Sequence, residues 1–435
     1  QRARLVPLQR VQGREGLGAP ISHGPWQGLY LHEDRLWVGV SGQVYPVVEE
    51  DAGLRIRDAQ QRPGPWLRHA ADGSWQFDLG LRLRGGMPLN RRIQQLRLAN
   101  QARVEVLQKE LDDYQPVRQA SALIERGETL AIAGHLDCLT ALPRGNWIGG
   151  TTPYFMADEG GTCRLDRVFV QPFGRQVGEI ACYDRERLPH MLEDAPENGF
   201  SIVILPAGSA VLEDYAREAP NYPDMYIKPI VGWVAGVHLD QLGSAQAQVI
   251  DGRSGHCYSD QAIVLHIPLP PDQAALVHAV NLFSPGAGPT LRFDETGFAA
   301  RECLIDGVRG SLLELIRARG IDTRLPLVAD YSGAMVNVSF KAVDAAAGRV
   351  DFYAPVFDDV EYRIAEPVPD YAKAFAQSLP GDALGARWSC NCILNYLYGG
   401  LEGQRTGPIT GPMTFGEIAY QLLNQTAVYL TLEHS

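Results

Sequence analysis

Apolar and polar residues alternate in short runs over residues 20–84, which is the two-residue period of strands with one buried face. Turn-forming residues such as Ala71-Asp72-Gly73 separate the runs. The pattern therefore predicts a compact β unit with a tryptophan core, and an aromatic face that binds carbohydrate or peptide is the alternative interpretation of the tryptophans. The predicted strands are Gly28–His32, Arg35–Val40, Gln43–Val48, Leu54–Arg57, Trp66–His69 and Ser74–Leu79, and the tryptophans are Trp26, Trp37, Trp66 and Trp75.

The period of the apolar residues changes after Pro88. Apolar side chains recur at helical spacing from Ile93 to Leu111, and Pro116 ends the pattern. We therefore expect a connecting helix over Asn90–Tyr114 that is capped by Asn90. Pairing of this helix in a coiled coil is the alternative hypothesis.

Strand-like and helix-like patterns mix from residue 117 onwards, which indicates a mixed α/β or α+β body of sheets flanked by helices. The predicted strands are Leu130–Gly134, Trp147–Gly150, Arg167–Gln171, Ser201–Pro206, Ala247–Ile250, Ala262–Ile267, Leu325–Asp330, Met335–Phe340, Val350–Ala354 and Ala427–Leu432. The predicted helical segments are Arg187–Glu193, Ala274–Asn281, Gly307–Arg319 and Asp370–Leu379. The Pro- and Gly-containing segment Ser284–Thr290 predicts a boundary between two lobes. The chain thus divides into a β-rich module at 1–86, a connecting helix at 87–116, and lobes at 117–284 and 285–435.

Charge and cysteine content restrict the function classes. A net charge of -12 on 435 residues argues against a nucleic-acid surface, which needs clustered Lys and Arg. No apolar run approaches the roughly 20 residues of a membrane span, and the first residues lack the apolar core of a signal peptide. Seven cysteines, an odd number spread from Cys138 to Cys392, predict free thiols in a reducing cytoplasm and no disulfide.

Familiar catalytic motifs are missing from the sequence. It contains no phosphate loop of Walker type, no G-x-G-x-x-G after a strand, no H-E-x-x-H and no G-x-S-x-G. These absences argue against the common nucleotide-binding, zinc-protease and serine-hydrolase classes. We therefore expect neither a cofactor nor a metal.

Three segments could carry chemistry. In Trp147–Phe155, a strand ends in Gly149 and Gly150 and continues into Thr151 and Thr152, so that backbone amides could approach a small ligand. A glycine turn before an aromatic packing segment explains the same residues equally well.

The second segment, Trp388–Cys392, places Cys390 and Cys392 on one face if it is a strand. Buried packing, a thiol that lines a site, and metal binding are its three interpretations. Metal binding lacks a partner pair of cysteines.

The third segment, Met413–Ile418, contains Gly416 and Glu417 and is followed by Asn424-Gln425-Thr426. A carboxylate next to a glycine can point into a cavity, where Asn424 and Thr426 would offer further hydrogen bonds. A surface carboxylate beside a turn is the alternative.

The order of these motifs resembles the FIST family over about residues 120–432. The resemblance is carried by Ile148-Gly149-Gly150-Thr151-Thr152, Ser389-Cys390, Gly416-Glu417-Ile418 and Asn424-Gln425-Thr426. Gly150 stands where many relatives have a cysteine. The resemblance implies a sensory module in signal transduction that binds a small molecule, with amino acids among the candidates, and that is linked to a signalling partner.

A second resemblance covers residues 20–115. Its residues are Trp26-Gln27-Gly28, Leu36-Trp37-Val38, Gln43-Val44-Tyr45, Gly64-Pro65-Trp66-Leu67 and Leu83-Arg84-Gly85-Gly86, which are similar to a β module of large bacterial toxin-like proteins. This resemblance implies a structural or delivery-related attachment, so that the chain could be a toxin-derived fusion or a fragment acting through protein partners.

The leading hypothesis is a binding module for a small polar metabolite, without catalysis. Glu417 would bind a cationic group, and Thr151 with Asn424 would orient the ligand. The expected ligand-binding residues are Gly149, Gly150, Thr151, Thr152, Cys390, Gly416, Glu417, Asn424 and Thr426. The rival hypothesis is a cysteine-dependent hydrolase or transferase, with Cys138 or Cys390 as nucleophile and His135 or His256 as base.

Overall fold

The computed structural model describes the strands within residues 2–78, then residues 114–115 and 117–434 with gaps at 176–177, 332–333, 380–382 and 384. The chain divides into two compact units, Gln1–Asp112 and Asp113–Ser435. The described residues combine strands and helices, which confirms the mixed α/β class, but strands outnumber helices. The predicted helix Asn90–Tyr114 lies almost wholly outside the described residues, and the predicted division into lobes stays a prediction.

The first unit contains a seven-stranded antiparallel sheet with the strand order β1-β7-β6-β5-β4-β3-β2. Its strands are β1 (Arg2–Ala3), β2 (Gly28–His32), β3 (Arg35–Val40), β4 (Gln43–Glu50), β5 (Gly53–Arg57), β6 (Pro63–His69) and β7 (Trp75–Asp78). The six predicted strands are therefore confirmed, because each alternating run pairs with its chain neighbour through a short connection. The tryptophan side chains lie outside the described part, so the tryptophan core stays a prediction.

The second unit contains four six-stranded sheets and one three-stranded sheet among its described residues. The strands up to residue 280 are β8 (Tyr114–Gln115), β9 (Glu128–Gly134), β10 (Trp147–Thr151), β11 (Tyr154–Ala157), β12 (Gly160–Cys163), β13 (Val168–Arg175), β14 (Glu179–Tyr183), β15 (Gly199–Pro206), β16 (Ile230–Ala235), β17 (Val249–Asp251), β18 (His256–Tyr258), β19 (Ala262–Pro268) and β20 (Gln273–Val280). The later strands are β21 (Leu291–Arg292), β22 (Gly297–Ala300), β23 (Glu302–Ile305), β24 (Val308–Ser311), β25 (Leu327–Tyr331), β26 (Ala334–Val338), β27 (Phe340–Asp344), β28 (Arg349–Val356), β29 (Glu361–Ile364), β30 (Trp388–Cys392), β31 (Gly411–Thr414), β32 (Glu417–Ala419), β33 (Gln421–Leu423) and β34 (Ala427–His434).

Helices connect these strands and begin at residues that the sequence marks as caps. Ser209 accepts a hydrogen bond from the backbone N–H of Leu212, Ser311 from that of Glu314, and Asp370 from that of Lys373. The α-helices are Val117–Glu125, Leu136–Thr140, Ala210–Glu218, Leu312–Arg319, Tyr371–Ser378 and Ile393–Tyr398, and the 3₁₀ turns are Leu188–His190, Ala219–Asn221 and Leu239–Gln241.

The sheets of the second unit combine strands that are distant in sequence. Their orders are β18-β17-β10-β9-β13-β8, β12-β11-β31-β30-β34-β20, β14-β19-β15-β16-β32-β33, β24-β23-β21-β29-β25-β26, and β22-β28-β27. Strands from the end of the chain pair with early ones: β31 pairs with β11, β32 with β16 and β34 with β20. The main core lies where these sheets face one another and includes Trp233 and Trp388.

One predicted helix is wrong throughout, and the predicted helix Gly307–Arg319 is wrong in its first part, where Val308–Ser311 forms β24. Residues Ala274–Asn281 have apolar residues at helical spacing, but Gln273–Val280 forms β20. This strand pairs with β34 over eight residues, from Gln273 opposite His434 to Val280 opposite Ala427. Pairing with β34, a strand contributed by the end of the chain, therefore outweighs the local preference.

Among the described residues, no helix combines the length and the apolar character that crossing a membrane requires.

Candidate functional site

A cleft of about 1350 Å³ lies beyond the carboxyl ends of the parallel strands β15 and β16. Residues Ala207, Gly208 and Ser209 follow β15, Gly236 and Val237 follow β16, and all five line the cleft. The helix Ala210–Glu218 connects the two strands, which completes a βαβ unit. Open α/β sheets bind ligands at this position, because loops leave the sheet there and the backbone is accessible.

Local sequence explains how the first loop turns. Gly208 has a positive φ of 76°, a conformation in which glycine carries no steric cost. The next residue, Ser209, caps the helix, and its hydroxyl also donates to the backbone oxygen of Pro206. The backbone N–H of Ala207 donates to the oxygen of Ala235, so the ends of the two strands are held side by side.

Gly236 shapes the second loop. A Cβ at this position would overlap the ring of Phe415, which lines the cleft. The N–H of Gly236 donates to the backbone oxygen of Thr151 at 2.6 Å. Glycine at 236 therefore lets the end of β10, the loop after β16 and the aromatic ring pack together.

Charged side chains of both signs face the cleft. Arg349 and Asp351 form an ion pair with a distance of 2.7 Å between Nε and Oδ1. Glu213 and Lys341 are exposed and form no ion pair with another described residue. One pair is thus neutralised internally, and one acidic and one basic side chain remain available.

The first turn of the helix Ala210–Glu218 is already occupied by protein groups. The N–H of Val211 donates to Oδ1 of Asp260 at 3.1 Å, and the N–H of Leu212 donates to Oγ of Ser209 at 3.1 Å. A ligand in the cleft would therefore meet side chains and loop amides rather than these two N–H groups.

The predicted segment Gly149–Thr152 lies behind the wall of the cleft. Oγ1 of Thr151 accepts from the N–H of Gln248, a residue that lines the cleft, at 2.9 Å. The hydroxyl of Thr152 donates to the backbone oxygen of Met413 at 2.9 Å, which ties this segment to the third predicted motif. Both threonines are buried and hold other groups in place.

Gly149 and Gly150 are needed for close packing. A Cβ at Gly149 would lie 2.8 Å from Cζ3 of Trp147. A Cβ at Gly150 would lie 2.6 Å from Cγ2 of Ile204 and 2.8 Å from Nε1 of Trp233. The two glycines therefore allow β10 to approach the core.

Glu417 is fully buried at the start of β32. One carboxyl oxygen, Oε1, lies 3.2 Å from the hydroxyl of Thr414 and accepts from it when the carboxyl is ionised. The other, Oε2, accepts from the N–H of Thr426 at 3.1 Å and from its hydroxyl at 2.9 Å. Burial raises the pKa of the Glu417 carboxyl to about 8, although hydrogen bonds from Thr426, Cys392 and Thr414 act in the opposite direction. Among the described residues, no cationic side chain pairs with it.

Asn424 belongs to a neighbouring buried network. Its Oδ1 accepts from the N–H of Ser339 at 3.3 Å, and its backbone oxygen accepts from Nδ2 of Asn337 at 3.0 Å. Oγ of Ser339 donates to Oε1 of Gln425 at 2.7 Å. These bonds fasten the turn before β34 to the residues around β26 and β27.

The structure brings several of the predicted residues to one strand, β16. Glu417 lies opposite Trp233 in the sheet register, Gly150 contacts the same tryptophan, and Sγ of Cys390 lies 3.6 Å from the backbone oxygen of Gly232. Gly416 accepts a hydrogen bond from the N–H of Val234 through its backbone oxygen. All nine predicted residues are buried, and none of them is among the described residues that line the cleft. Their contact with a ligand stays a prediction.

Sequence reasoning missed the residues that line the cleft. Gly208-Ser209, one residue after the predicted strand Ser201–Pro206, was an available signal, because a glycine and a capping serine mark a strand-to-helix turn. Lys341, on β27, carried no local signal, since only the folded chain places it opposite that loop.

The thiols of the rival hypothesis have surroundings that favour the protonated form. Burial, with Asp166 and Asp137 nearby, raises the pKa of Cys138, and burial with Glu417 nearby raises the pKa of Cys390 well above its usual value. A nucleophilic cysteine needs the opposite shift. His135 accepts from the N–H of Asp137 as a helix cap, and His256 is exposed, so neither histidine forms a hydrogen bond to these thiols in the described structure.

All seven cysteines are free, and their exposure predicts a labelling order. Cys257 is exposed, whereas Cys138, Cys303, Cys390 and Cys392 are buried. We expect iodoacetamide to modify Cys257 first in the native protein, and the four buried thiols only after unfolding. Peptide mass spectrometry measures the order, and denatured protein, in which all seven should react, is the control. Labelling of Cys390 as fast as Cys257 would contradict the burial described above.

No group of three or more potential His, Cys, Asp or Glu metal ligands occurs among the residues that the structure covers. Cys390 and Cys392 both lie on β30. Cys390 is buried in the main core, and Cys392 is buried in a neighbouring cluster of apolar side chains.

Residues 115–433, almost the whole second unit, match the model of DUF6976, which is described as a family of unknown function. No curated protein matches the chain.

Proposed function

Because this chain belongs to DUF6976, whose description gives no activity, we propose from its own geometry that it is a binding module for a small polar metabolite. The cleft at the ends of β15 and β16 is the binding site in this proposal. The observation that carries it is the position of a 1350 Å³ cleft at the carboxyl ends of two parallel strands.

The size and lining of the cleft support a small ligand. Ligand pockets commonly have volumes of roughly 300–1,000 Å³, so this open cleft can admit one metabolite together with water. Gly208 and Gly236 expose backbone in its wall, whereas Phe298, Phe352 and Phe415 contribute apolar surface. Such a lining suits a compact molecule with both polar and apolar groups.

The charges in the cleft support a zwitterion, the class that includes amino acids. Glu213 can pair with an ammonium group and Lys341 with a carboxylate, since neither is paired with a described residue. Arg349 and Asp351 already neutralise each other. One free charge of each sign favours a ligand that carries both over a simple anion or cation.

A sensory role without catalysis completes the proposal. The raised pKa values of Cys138 and Cys390 argue against thiol chemistry, and the resemblance to FIST proteins supports a sensor in a cytoplasmic signalling pathway with a protein partner. Ligand binding would be transmitted through Gly236 and Gln248, because both are hydrogen-bonded to Thr151 in the core.

A panel of free amino acids, compared with their N-acetyl and amide derivatives, tests the site. We expect at least one amino acid to raise the melting temperature, and both derivatives to raise it less, because each lacks one of the two charges. Titration calorimetry should then show a loss of about 10- to 100-fold in affinity for Lys341→Met and for Glu213→Gln, as is typical of hydrogen bonds to charged groups.

Matched controls are available on the same protein. Lys373 is an exposed lysine on the helix Tyr371–Ser378, and Glu218 is an exposed glutamate on the same helix as Glu213, but neither lines the cleft. Lys373→Met and Glu218→Gln should bind like the wild type. Equal affinities for Lys341→Met and Lys373→Met, or no stabilisation by any amino acid, would reject the zwitterion site.

A further inference from the structure

Three buried polar atoms close to Glu417 have no hydrogen-bond partner. They are the hydroxyl of Tyr371, Nδ2 of Asn391 and Oδ1 of Asn395. Their residues are only 5%, 2% and 1% exposed, so bulk water does not reach them. An unpaired polar atom at this depth is destabilising, and three of them in one cluster are the polar partners that an enclosed molecule would need.

The orientations of the two amides are set by their other bonds. Oδ1 of Asn391 accepts from the backbone N–H of Cys392 at 2.7 Å and from Nδ2 of Asn395 at 2.9 Å. Nδ2 of Asn395 also donates to the backbone oxygen of Thr426 at 3.3 Å. Exchanging O and N in either amide would break these bonds, so the unused atoms are a donor on Asn391 and an acceptor on Asn395.

Tyr371 belongs to the same cluster. Burial raises the pKa of its phenol well above the usual value, and Cys392 and Glu417 raise it further. Asn391 lies close enough to the hydroxyl to lower this pKa through a side-chain hydrogen bond, although the two side chains do not meet the geometry of a normal one. The ring is held in position because the backbone of Gly399 packs against it, where a Cβ would lie 2.9 Å from Cβ of Tyr371.

We propose that Tyr371, Asn391 and Asn395 form an enclosed site for one small neutral molecule that both accepts and donates hydrogen bonds, with water as its occupant. The molecule accepts from Nδ2 of Asn391, donates to Oδ1 of Asn395, and exchanges a third bond with the Tyr371 hydroxyl. A cation cannot accept from the amide, and a fully deprotonated anion cannot donate to the oxygen. Buried waters with about three protein partners are common in globular proteins.

The site is separate from the cleft, because none of its three residues lines the cleft in the described structure. It therefore does not depend on the proposed zwitterion. An internal water would complete the hydrogen bonds of Tyr371, Asn391 and Asn395, which lie close to the buried carboxyl of Glu417.

The sign of one substitution tests the site. If the Tyr371 hydroxyl bonds to a water, Tyr371→Phe deprives that water and its amide partners of a bond, and the melting temperature should fall by several degrees. If the hydroxyl is truly unpaired, its removal relieves a buried polar group, and the melting temperature should stay the same or rise.

Tyr215→Phe calibrates this measurement. The Tyr215 hydroxyl is buried and donates to the backbone oxygen of Tyr420 at 2.7 Å, so its loss shows what one satisfied hydrogen bond contributes. We expect similar falls in melting temperature for the two variants. A crystal structure of the wild-type protein should show a density peak within hydrogen-bond distance of all three atoms. An empty space there, or a Tyr371→Phe variant at least as stable as the wild type, would overturn the proposal.

Discussion

Raising the pH from 6.5 to 8 should lower the free energy of unfolding by about 2 kcal/mol, because Glu417 loses its proton inside the folded protein. Burial raises the pKa of its carboxyl from 4.5 to about 8. The folded state thus holds a proton that the unfolded chain releases at lower pH. The stabilisation is complete below pH 4.5, falls as the pH rises, and is gone above pH 8; its full size is on the order of 5 kcal/mol.

Measurement above pH 6.5 separates the effect of Glu417 on the free energy of unfolding from that of a second buried group, whose effect has the opposite sign. Burial lowers the pKa of His266 from 6.5 to about 4. Its contribution is present above pH 6.5 and lost as the pH falls towards 4, because the unfolded chain then takes up the proton first. His266 is buried and hydrogen-bonded to Tyr183 and Ser201. Below pH 6.5 the contributions of Glu417 and His266 to the free energy of unfolding therefore change in opposite directions and partly cancel.

Denaturant unfolding of wild type and Glu417→Gln at several pH values measures the effect. The variant keeps the shape of the side chain and removes the titration, so its stability should change much less between pH 6.5 and 8. If the free energy of unfolding changed equally with pH in the two proteins, Glu417 would not titrate in this range. A cationic ligand at Glu417, as the sequence predicted, would instead make the wild-type protein more stable at high pH when that ligand is present.

Trp233→Ala should lower the free energy of unfolding by about 3–5 kcal/mol, the usual cost of deleting a buried aromatic side chain. The ring is 1% exposed and stacks on Trp388, with 6.1 Å between the ring centroids. It also contacts Gly150, so its loss would open a cavity between β10 and β16.

Trp233→Phe should cost clearly less than Trp233→Ala. Nε1 of Trp233 has no hydrogen-bond partner among the described residues, so phenylalanine gives up apolar volume but no polar contact. Leu397→Ala is the control, since Leu397 is 41% exposed and should change the stability by only about 0.5 kcal/mol. Chemical denaturation measures all three variants. Equal losses for Ala and Phe would contradict this expectation, because phenylalanine keeps most of the apolar volume that alanine removes.

Local patterns predicted many elements because the information lies within a few neighbouring residues. The apolar run in Ala262–Ile267 predicted β19, and helical spacing over Asp370–Leu379 predicted the helix Tyr371–Ser378. The same reasoning was wrong for Ala274–Asn281, where the deciding partner, β34, lies some 150 residues further along the chain. A single segment cannot reveal which distant strand will cover its edge.

The motif residues themselves were visible in the sequence, but their roles depend on contacts across the chain. Composition and periodicity were enough to predict the mixed α/β class and free cysteines. They also indicated that the segments rich in glycine and hydroxyl groups are places where the backbone approaches other groups closely. Folding then placed Thr152 against Met413 and Glu417 opposite Trp233, and it turned the hydroxyl groups towards the core rather than the cleft. The cleft arises where β15 and β16 end side by side and β27 supplies Lys341 from another sheet. Periodicity reports which face of a segment is buried, whereas a binding site depends on which buried faces meet, and that is determined by complementary packing between segments far apart in the chain.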